Sequence, residues 1–519
     1  MAMFYLLATL CVLAFFLYKV VVYPAFDSPL AKIPFAHWSC AFSDAWILWM
    51  RWTQRENQEV YRLHMEKGTA VRLAPNLVSI NCFDDGLKTI YQGGFPKPKW
   101  YLYAFAVYGV GNLFTIQDNE THSAQKRIMS HTFSKSFIMA SQSARAAINE
   151  TLFQRVLPLL YEAALSDKAI EVIEFNYSYY LDTFVQWQFG RSLRSNLVEN
   201  EEERRLYLDG FFGISKFTFW QYYFPHLSNA LRKIGIYLIP KWVDAGFQEV
   251  EDWNMAKCDK AHQLLATEQN ISEEDQPLLF RQLLKGVSSI NSKPKQYPRR
   301  LEVASDMFSL NSGAFETSGN TSTYLFYEMC RHPEWQTKLR EELLSLKMPL
   351  KHIPGRNVEV EDITQPRYVD ELPILHAIVM ETLRLWPSVP GGQPRIVPRS
   401  CTLGRYENIP AGTVVQCYAS VLHKTPEVFP EPHTWKPERW LDATPEQLAL
   451  MNRWFWGFGS GSRGCIGKAF AINSIKYLFG GVYTNFTTTI YDHGDMTPVD
   501  NYLAGPKGHR LEVKFSLAE

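Results

Sequence analysis

The stretch FGSGSRGCIG, residues 458–467, places four glycines and one cysteine within ten residues, and the role of that cysteine decides how the chain is read. Cys465 follows a glycine-punctuated loop and precedes IGKAFAINSIKYLF, whose apolar spacing predicts a helix. The cysteine is therefore expected at a helix N-terminus, where unpaired N–H groups and the helix dipole stabilise negative charge and draw the thiol toward thiolate. Gly461, Gly464 and Gly467 carry no side chain, so the backbone can turn tightly and a flat, bulky partner can approach the sulfur. Arg463 suits a carboxylate held bidentately. A nucleophilic cysteine fits the same electrostatics but needs a base in reach, and no histidine is near in sequence. An inert cysteine beside a turn is the third option.

The chain has 519 residues, 46% hydrophobic and 14% aromatic, which supports a large buried core in one globular body. Fifty-three basic residues balance fifty-three acidic ones, so nothing steers the chain toward nucleic acid, and an apolar small molecule is the better-matched ligand. The eight cysteines are scattered without a Cys-x-x-Cys pair, which argues against a disulfide framework or a zinc site.

An apolar run from Ala2 to Tyr23, broken only by Lys19, is long enough to cross a bilayer as a helix. A cleaved signal peptide would have its basic residue before the apolar core and a small-x-small site after it, whereas here Lys19 lies on the C-terminal side and bulky residues follow. The reading is a single-pass anchor at residues 1–23, a Pro-containing connector at 24–45 that includes SPLAKIP, and the main globular domain at 46–519. The positive-inside rule keeps Lys19 and the body on the cytosolic side.

SARAAINETLFQRVLPLLYEAALS and KCDKAHQLLATEQN have helical periodicity, while CTLGRYENIPAGTVVQCYASV and RLEVKFSL read as short strands and turns. The fold class is mainly α with a minor β region. Two segments, 99–109 and 211–226, are unusually aromatic; core packing, a greasy cavity wall and a membrane-dipping surface all fit them.

The pattern Phe458-x-x-Gly461-x-Arg463-x-Cys465-x-Gly467 resembles the haem-binding signature of the cytochrome P-450 family at every defining position. The resemblance implies that family's fold and a haem (heme) whose iron takes Cys465 as its axial thiolate. It further implies that Arg463 pairs with a haem propionate, that Phe458 packs beside the sulfur, and that Gly467 belongs to the cofactor site. HAIVMETLRLWPSVP contains Glu381-x-x-Arg384, and WKPERW supplies Arg439, together matching the family's structural Glu-Arg-Arg network. In SLNSGAFETSGNTSTYLFYEM, Gly, Ser and Thr interrupt an otherwise apolar helix from about Leu301 to Met329. Glu316 and Thr317 there match the family's acid-alcohol pair, which sits in a local helix distortion and delivers protons to bound dioxygen. A partly polar helix at a crowded packing site is the plainer account of the same residues.

Two departures stand out. Ala314 occupies a position where the family usually has glycine, with Gly313 beside it as a substitute. In THSAQKRIMSHTFS, His122 and Lys126 stand where the family meets the propionates with an aromatic or His and an Arg; Arg127 is the alternative contact. Arg395 in GGQPRIVP matches another propionate position.

The implied enzyme is a monooxygenase of the endoplasmic reticulum membrane, similar in style to fungal members that act on secondary metabolites. It would receive electrons from an NADPH-dependent cytochrome reductase docked near Arg463, Lys468 and Lys126. Two alternatives remain open at this level: a reductase-independent haem-thiolate isomerase or dehydratase, and a non-catalytic haem protein that binds a ligand.

Overall fold

The computed structural model describes residues 1–268, 270–290, 298–356 and 358–518. Its axis is the helix Arg299–Arg331, about 50 Å long at 1.5 Å per residue. Pro298 precedes its first turn, Glu302 lies in that turn and Arg331 in the last, complementing the helix dipole at both ends. Pro333 then opens the next helix, Pro333–Leu344.

The helix Val172–Phe189 packs along this axis and is buried on every face except at Glu174. The two helices meet where the sequence is small and polar. A Cβ on Gly319 would lie 2.3 Å from the Tyr177 ring, so only glycine allows this approach. Around it Tyr177 donates to Asn320 Oδ1 at 2.7 Å, the Tyr180 and Ser322 hydroxyls pair at 2.6 Å, and Asn176 donates to Thr323 Oγ1 at 3.2 Å. Residues 319–323 are thus the crowded packing site of the plainer account. The helix runs through them, and through Glu316 and Thr317, without a break. Thr317, Thr321 and Thr323 bond back to carbonyls four residues earlier, which satisfies each hydroxyl without interrupting the ladder.

Among the described residues three small sheets flank the helical body, as the strand-like texture predicts. The largest runs in the order Ala70–Ala74, Leu77–Ile80, Val414–Gln416, Arg395–Ile396. Its middle pair is parallel and the outer pairs are antiparallel. Cys401–Leu403 and Tyr406–Ile409 form a hairpin turned by Gly404 and Arg405, both at positive φ. Phe486–His493 pairs antiparallel with Leu511–Leu517, the RLEVKFSL strand.

At the N-terminus Ala2–Leu17 is α-helical, and the coil continues in wider π-type turns through Pro24 to Asp27, beyond the expected end at Tyr23. Met3–Asp27 forms one apolar helix of 25 residues, within which an 18-residue stretch has mean hydropathy 2.2 and no buried share, compatible with a membrane anchor. The following segment is fastened to the body. Leu30 and Ile33 are buried, the Arg72 guanidinium donates to Pro24 O at 2.7 Å, and the Arg72 backbone exchanges hydrogen bonds with Pro34 and Ala36. SPLAKIP therefore docks on the first sheet and is no free spacer.

Gly319→Ala is expected to force the two central helices apart and destabilise the folded protein by about 1–3 kcal/mol. Gly313→Ala, whose Cβ meets nothing within 4 Å, should be neutral or stabilising by up to about 1 kcal/mol. Thermal denaturation of the two variants separates a crossing glycine from a cavity glycine.

Candidate active site

The loop before Cys465 is held open by two glycines in the left-handed region, Gly459 at φ 65° and Gly461 at φ 69°. A Cβ on Gly461 would sit 2.2 Å from the Tyr91 carbonyl oxygen, so this position requires glycine twice over. Gly464 and Gly467 adopt ordinary φ. At Gly467 a Cβ would lie 3.9 Å from the Cys465 sulfur, so this glycine spares space beside the sulfur where tight turns were expected.

The Cys465 N–H donates to Phe458 O at 2.8 Å, which folds Phe458 back against the cysteine. Gly467 caps the helix Lys468–Asn485, and the N–H groups of Gly467 and Lys468 point at the sulfur. Burial nonetheless pushes the thiol up, outweighing those N–H groups and the Lys126 and Lys468 charges. This corrects the expectation that the helix terminus alone makes a thiolate. A metal cation at the sulfur would reverse the balance, because a coordinated thiol is deprotonated outright.

The accessible face of Cys465 opens into an internal cavity of about 1630 Å³. The central helix lines the same cavity with Gly313, Ala314, Glu316, Thr317 and Thr321. The Thr317 hydroxyl donates to Gly313 O at 2.7 Å, and Gly313, beside Ala314, leaves open space. No hydrogen bond or ion pair to Glu316 is made among the described residues, and burial raises its carboxyl to about 8. Both aromatic segments contribute to this cavity, with Tyr103, Phe105, Phe211, Phe212 and Tyr222 in the wall. Their outer rings interlock, Trp100 with Tyr222 at 5.7 Å and Trp52 with Trp220 at 5.3 Å. The cavity-wall reading of these segments is the one the structure realises.

Positive groups gather at one edge of the cavity. His122 and Lys126 share the helix Asn119–Ser130, whose N-cap Asp118 accepts from the Thr121 N–H at 2.6 Å. Lys126 Nζ donates to the carbonyls of Ser462 at 2.7 Å and Gly464 at 3.0 Å, so it ties this helix to the cysteine loop. Arg463 reaches inward to Gln117 O at 2.9 Å and Asn119 Oδ1 at 2.9 Å. Arg395, on the edge strand Arg395–Ile396, donates to the Tyr101 hydroxyl at 2.9 Å. Burial, then repulsion from Arg463, Lys97, Lys126 and Arg395, lowers His122 to about 3.

Arg127 is exposed and bonds only its own helix at Ser123 O, so Lys126, and not Arg127, is the residue that faces the cavity. Of the three residues expected on a docking face, Lys468 alone is exposed; Arg463 and Lys126 are committed inward.

This edge tests whether the residues fit a haem. The His122 Nδ1 and Arg463 Nε atoms are buried without a hydrogen-bond partner, and the cations beside them bond only carbonyls, an amide and a phenol. Such a cradle lacks an anion, and a ligand bearing two carboxylates supplies it. With a buried thiol ringed by N–H donors next to it, and no cluster of three metal-binding side chains among the described residues, the donor set fits a haem-like group and not a protein-only metal site.

A second network sets the loop in place. Glu381 Oε1 accepts from Arg384 Nη2 at 2.7 Å, Arg439 Nε at 3.0 Å and the Lys436 N–H at 2.9 Å. Oε2 accepts from Arg384 Nε and Trp440 Nε1, both at 2.9 Å. Arg384 also donates to the carbonyls of His423, Pro432 and Thr434.

His423 completes the link to the cysteine loop. Its Nδ1 lies 3.0 Å from Arg384 O, and its Nε2 accepts the Trp456 N–H at 2.8 Å. Those partners fix the tautomer with the proton on Nδ1, and burial lowers this imidazole to about 3. Sequence reading missed His423, a lone histidine in an undistinguished segment. It also missed Lys97, although the flanking prolines of FPKPKW were a usable signal of a rigid, specialised position.

Glu381→Gln should cost about 3–5 kcal/mol, because two buried guanidinium groups lose their shared counter-charge; a lowered thermal midpoint and yield of pigmented protein would show it. Glu316→Gln tests the buried acid. An acid whose folded pKa is raised from 4.5 to about 8 binds more protons folded than unfolded in that window, so the native protein loses stability as pH rises through it. The thermal midpoint of the variant should match the native one near pH 5 and exceed it progressively up to pH 8, by an amount read from melting curves across about that range.

The comparisons with known proteins agree with this geometry. A sequence model of the family described as Cytochrome P450 matches residues 42–513. The chain is 25% identical over 509 residues to the cytochrome P450 monooxygenase hkm5 of Aspergillus hancockii, which covers 96% of this chain and 93% of that one. It is 22% identical over 506 residues to the cytochrome P450 monooxygenase FGM1 of Gibberella zeae, again covering 96% and 93%. Against the cytochrome P450 monooxygenase FUP2 of Fusarium proliferatum it is 26% identical over 500 residues, covering 91% and 88%. With a family match over nearly all of its globular body, the chain belongs to the cytochrome P450 family and is an oxidoreductase of the monooxygenase kind.

Proposed function

We propose that this protein is a membrane-anchored haem-thiolate monooxygenase. It hydroxylates or otherwise oxidises an apolar small molecule, an intermediate of fungal secondary metabolism such as a terpenoid or polyketide, using dioxygen and electrons from an NADPH-dependent reductase. The observation that carries this reading is that Cys465, approached by two N–H donors, lines one cavity together with Glu316, Thr317 and a cluster of cations that form no ion pair with a carboxylate among the described residues.

Cys465 would hold the haem iron, and Arg463, Arg395, Lys126 and His122 would hold its propionates, with Phe458 and Gly467 shaping the proximal side. When bound, the haem supplies the iron that activates dioxygen. The protein contributes the surroundings. Glu316, neutral up to about pH 8, is a proton donor whose carboxyl is free to pass its proton to a ligand in the cavity. Thr317, with its hydroxyl proton given to Gly313 O, keeps its lone pairs as acceptors for a water or substrate hydroxyl. The phenylalanine and tyrosine walls exclude bulk water and suit an apolar substrate.

The anchor is residues 1–23, the connector 24–45 and the catalytic domain 46–519, with the domain on the cytosolic face of the endoplasmic reticulum. The 25-residue apolar helix supports this arrangement, as does Lys19 at its C-terminal side. Exposed Lys468 offers a charge for an acidic reductase.

The reduced protein with carbon monoxide should give the strongly red-shifted Soret band of a thiolate ligand, and Cys465→Ala should lose it together with all product made beside a reductase. Product formed without NADPH would favour an isomerase instead, and a thiolate spectrum without any turnover would favour a ligand-binding protein.

A further inference from the structure

On the helix Lys241–Thr267, Glu251 lines the cavity but is only 9% exposed. Its side chain is fixed through Tyr108 in the segment AVYGVG, where Tyr108 and Gly109 both turn at positive φ, 54° and 68°. A tyrosine gains nothing from the left-handed region, so contacts from outside the turn must hold it there. Glu251 Oε1 accepts the Tyr108 N–H at 2.7 Å, the Tyr108 hydroxyl donates to Glu251 O at 2.7 Å, and Asn254 Nδ2 donates to that hydroxyl at 2.9 Å. Carboxylate and loop are thus locked together.

That clamp uses one oxygen of the carboxylate. Among the described residues Oε2 accepts no hydrogen bond and Glu251 forms no ion pair, and the oxygen is not sealed inside protein, so it is open to the cavity. Burial, opposed in part by the Tyr108 N–H, raises this carboxyl, and the like charge of Asp252 adds to the rise. Phe247 lies one turn before Glu251 on the same helix face. Its ring is 5.5 Å from that of Phe308, which is in turn 6.4 Å from those of Tyr108 and Phe211. Phe211, Phe247 and Phe308 line the cavity with Glu251. A neutral apolar ligand matches the rings and leaves the carboxylate uncompensated; an anion is repelled by both. A cation matches both, because aromatic faces attract it and the carboxylate pairs with it.

We propose that Glu251 and the rings of Phe211, Phe247 and Phe308 form a subsite for a basic nitrogen, protonated or quaternary, on an otherwise apolar substrate. The proposal rests on the monooxygenase reading above and narrows its substrate from an apolar molecule to an amine-bearing one. The nitrogen sits at this subsite and the apolar remainder in the rest of the cavity.

The test uses the full-length holoprotein in lipid nanodiscs and three probes of similar shape: N-benzylpiperidine, the permanently charged N-benzyl-N-methylpiperidinium, and the non-basic amide N-benzoylpiperidine. Binding is read by equilibrium dialysis with empty nanodiscs as the blank, so it depends on no iron spectrum. The native protein should hold both cations at least about tenfold more tightly than the amide, the effect of a desolvated cation–π contact and an ion pair. Glu251→Gln keeps an oxygen for the Tyr108 N–H but carries no charge, and should abolish that preference without weakening the amide. Phe247→Leu should reduce the preference. Equal binding of the three probes by the native protein, or binding of none, overturns the proposal, as does a preference that survives in Glu251→Gln; Glu251 is then a clamp for Tyr108 alone. If Glu251→Gln does not accumulate, Phe247→Leu decides: weaker binding of the cations alone supports the subsite, and unchanged or uniformly weaker binding overturns it. A native protein that shows the preference but gives no thiolate spectrum with carbon monoxide defeats the haem-thiolate reading and not the subsite.

Discussion

The two oxygens of Glu381 accept five hydrogen bonds from two guanidinium groups, an indole and a backbone N–H, all in the protein interior. A buried carboxylate is tolerated only when its lone pairs and its charge are both satisfied, so this side chain dictates where four separate stretches of chain must lie. They are the helix Pro373–Leu385, the segment His423–Thr434, the turn Glu438–Leu441 and, through His423, the backbone at Trp456. The cysteine loop begins at that last point. The position of the cysteine loop is thus tied to an ion cluster far along the chain from it.

The site itself is electrically lopsided. One edge collects cations that form no ion pair with a carboxylate among the described residues, and the wall on the central helix carries Glu316, whose carboxyl burial raises to about 8. Each half is unstable alone, since burial penalises charge of either sign. A ligand with two carboxylates and an apolar body, as the family's haem is, would compensate the cations and occupy the cavity without needing a charged partner for the acid.

The central helix serves two demands within three turns. At Gly313 to Thr317 it borders empty space and presents an unpaired acid and a hydroxyl; at Gly319 to Thr323 it is pressed against Val172–Phe189. Both demands select small and polar residues, the first to leave room and the second to let backbones approach while satisfying buried hydroxyls. That is why one run of Gly, Ser, Thr and Asn admitted two readings; the packing account holds for residues 319–323, and the cavity-lining residues Gly313 to Thr317 are where the acid-alcohol proposal applies.

Fold class, the cysteine loop, the Glu381–Arg384 pair and the adjacent Glu316 and Thr317 were legible in the chain, because each is written as local spacing within one or two turns; Arg439 was reached only through the family resemblance of WKPERW. Helical and strand periodicities were equally legible for the same reason. Only the tertiary structure decided that Lys126 faces the cavity while Arg127 faces solvent, that SPLAKIP docks on the sheet, and that burial overrides the helix terminus at Cys465. Lys97 and His423 also emerge only there. Charge state and partnership depend on what distant segments bring within a few ångströms, and local spacing in a chain carries no record of that distance.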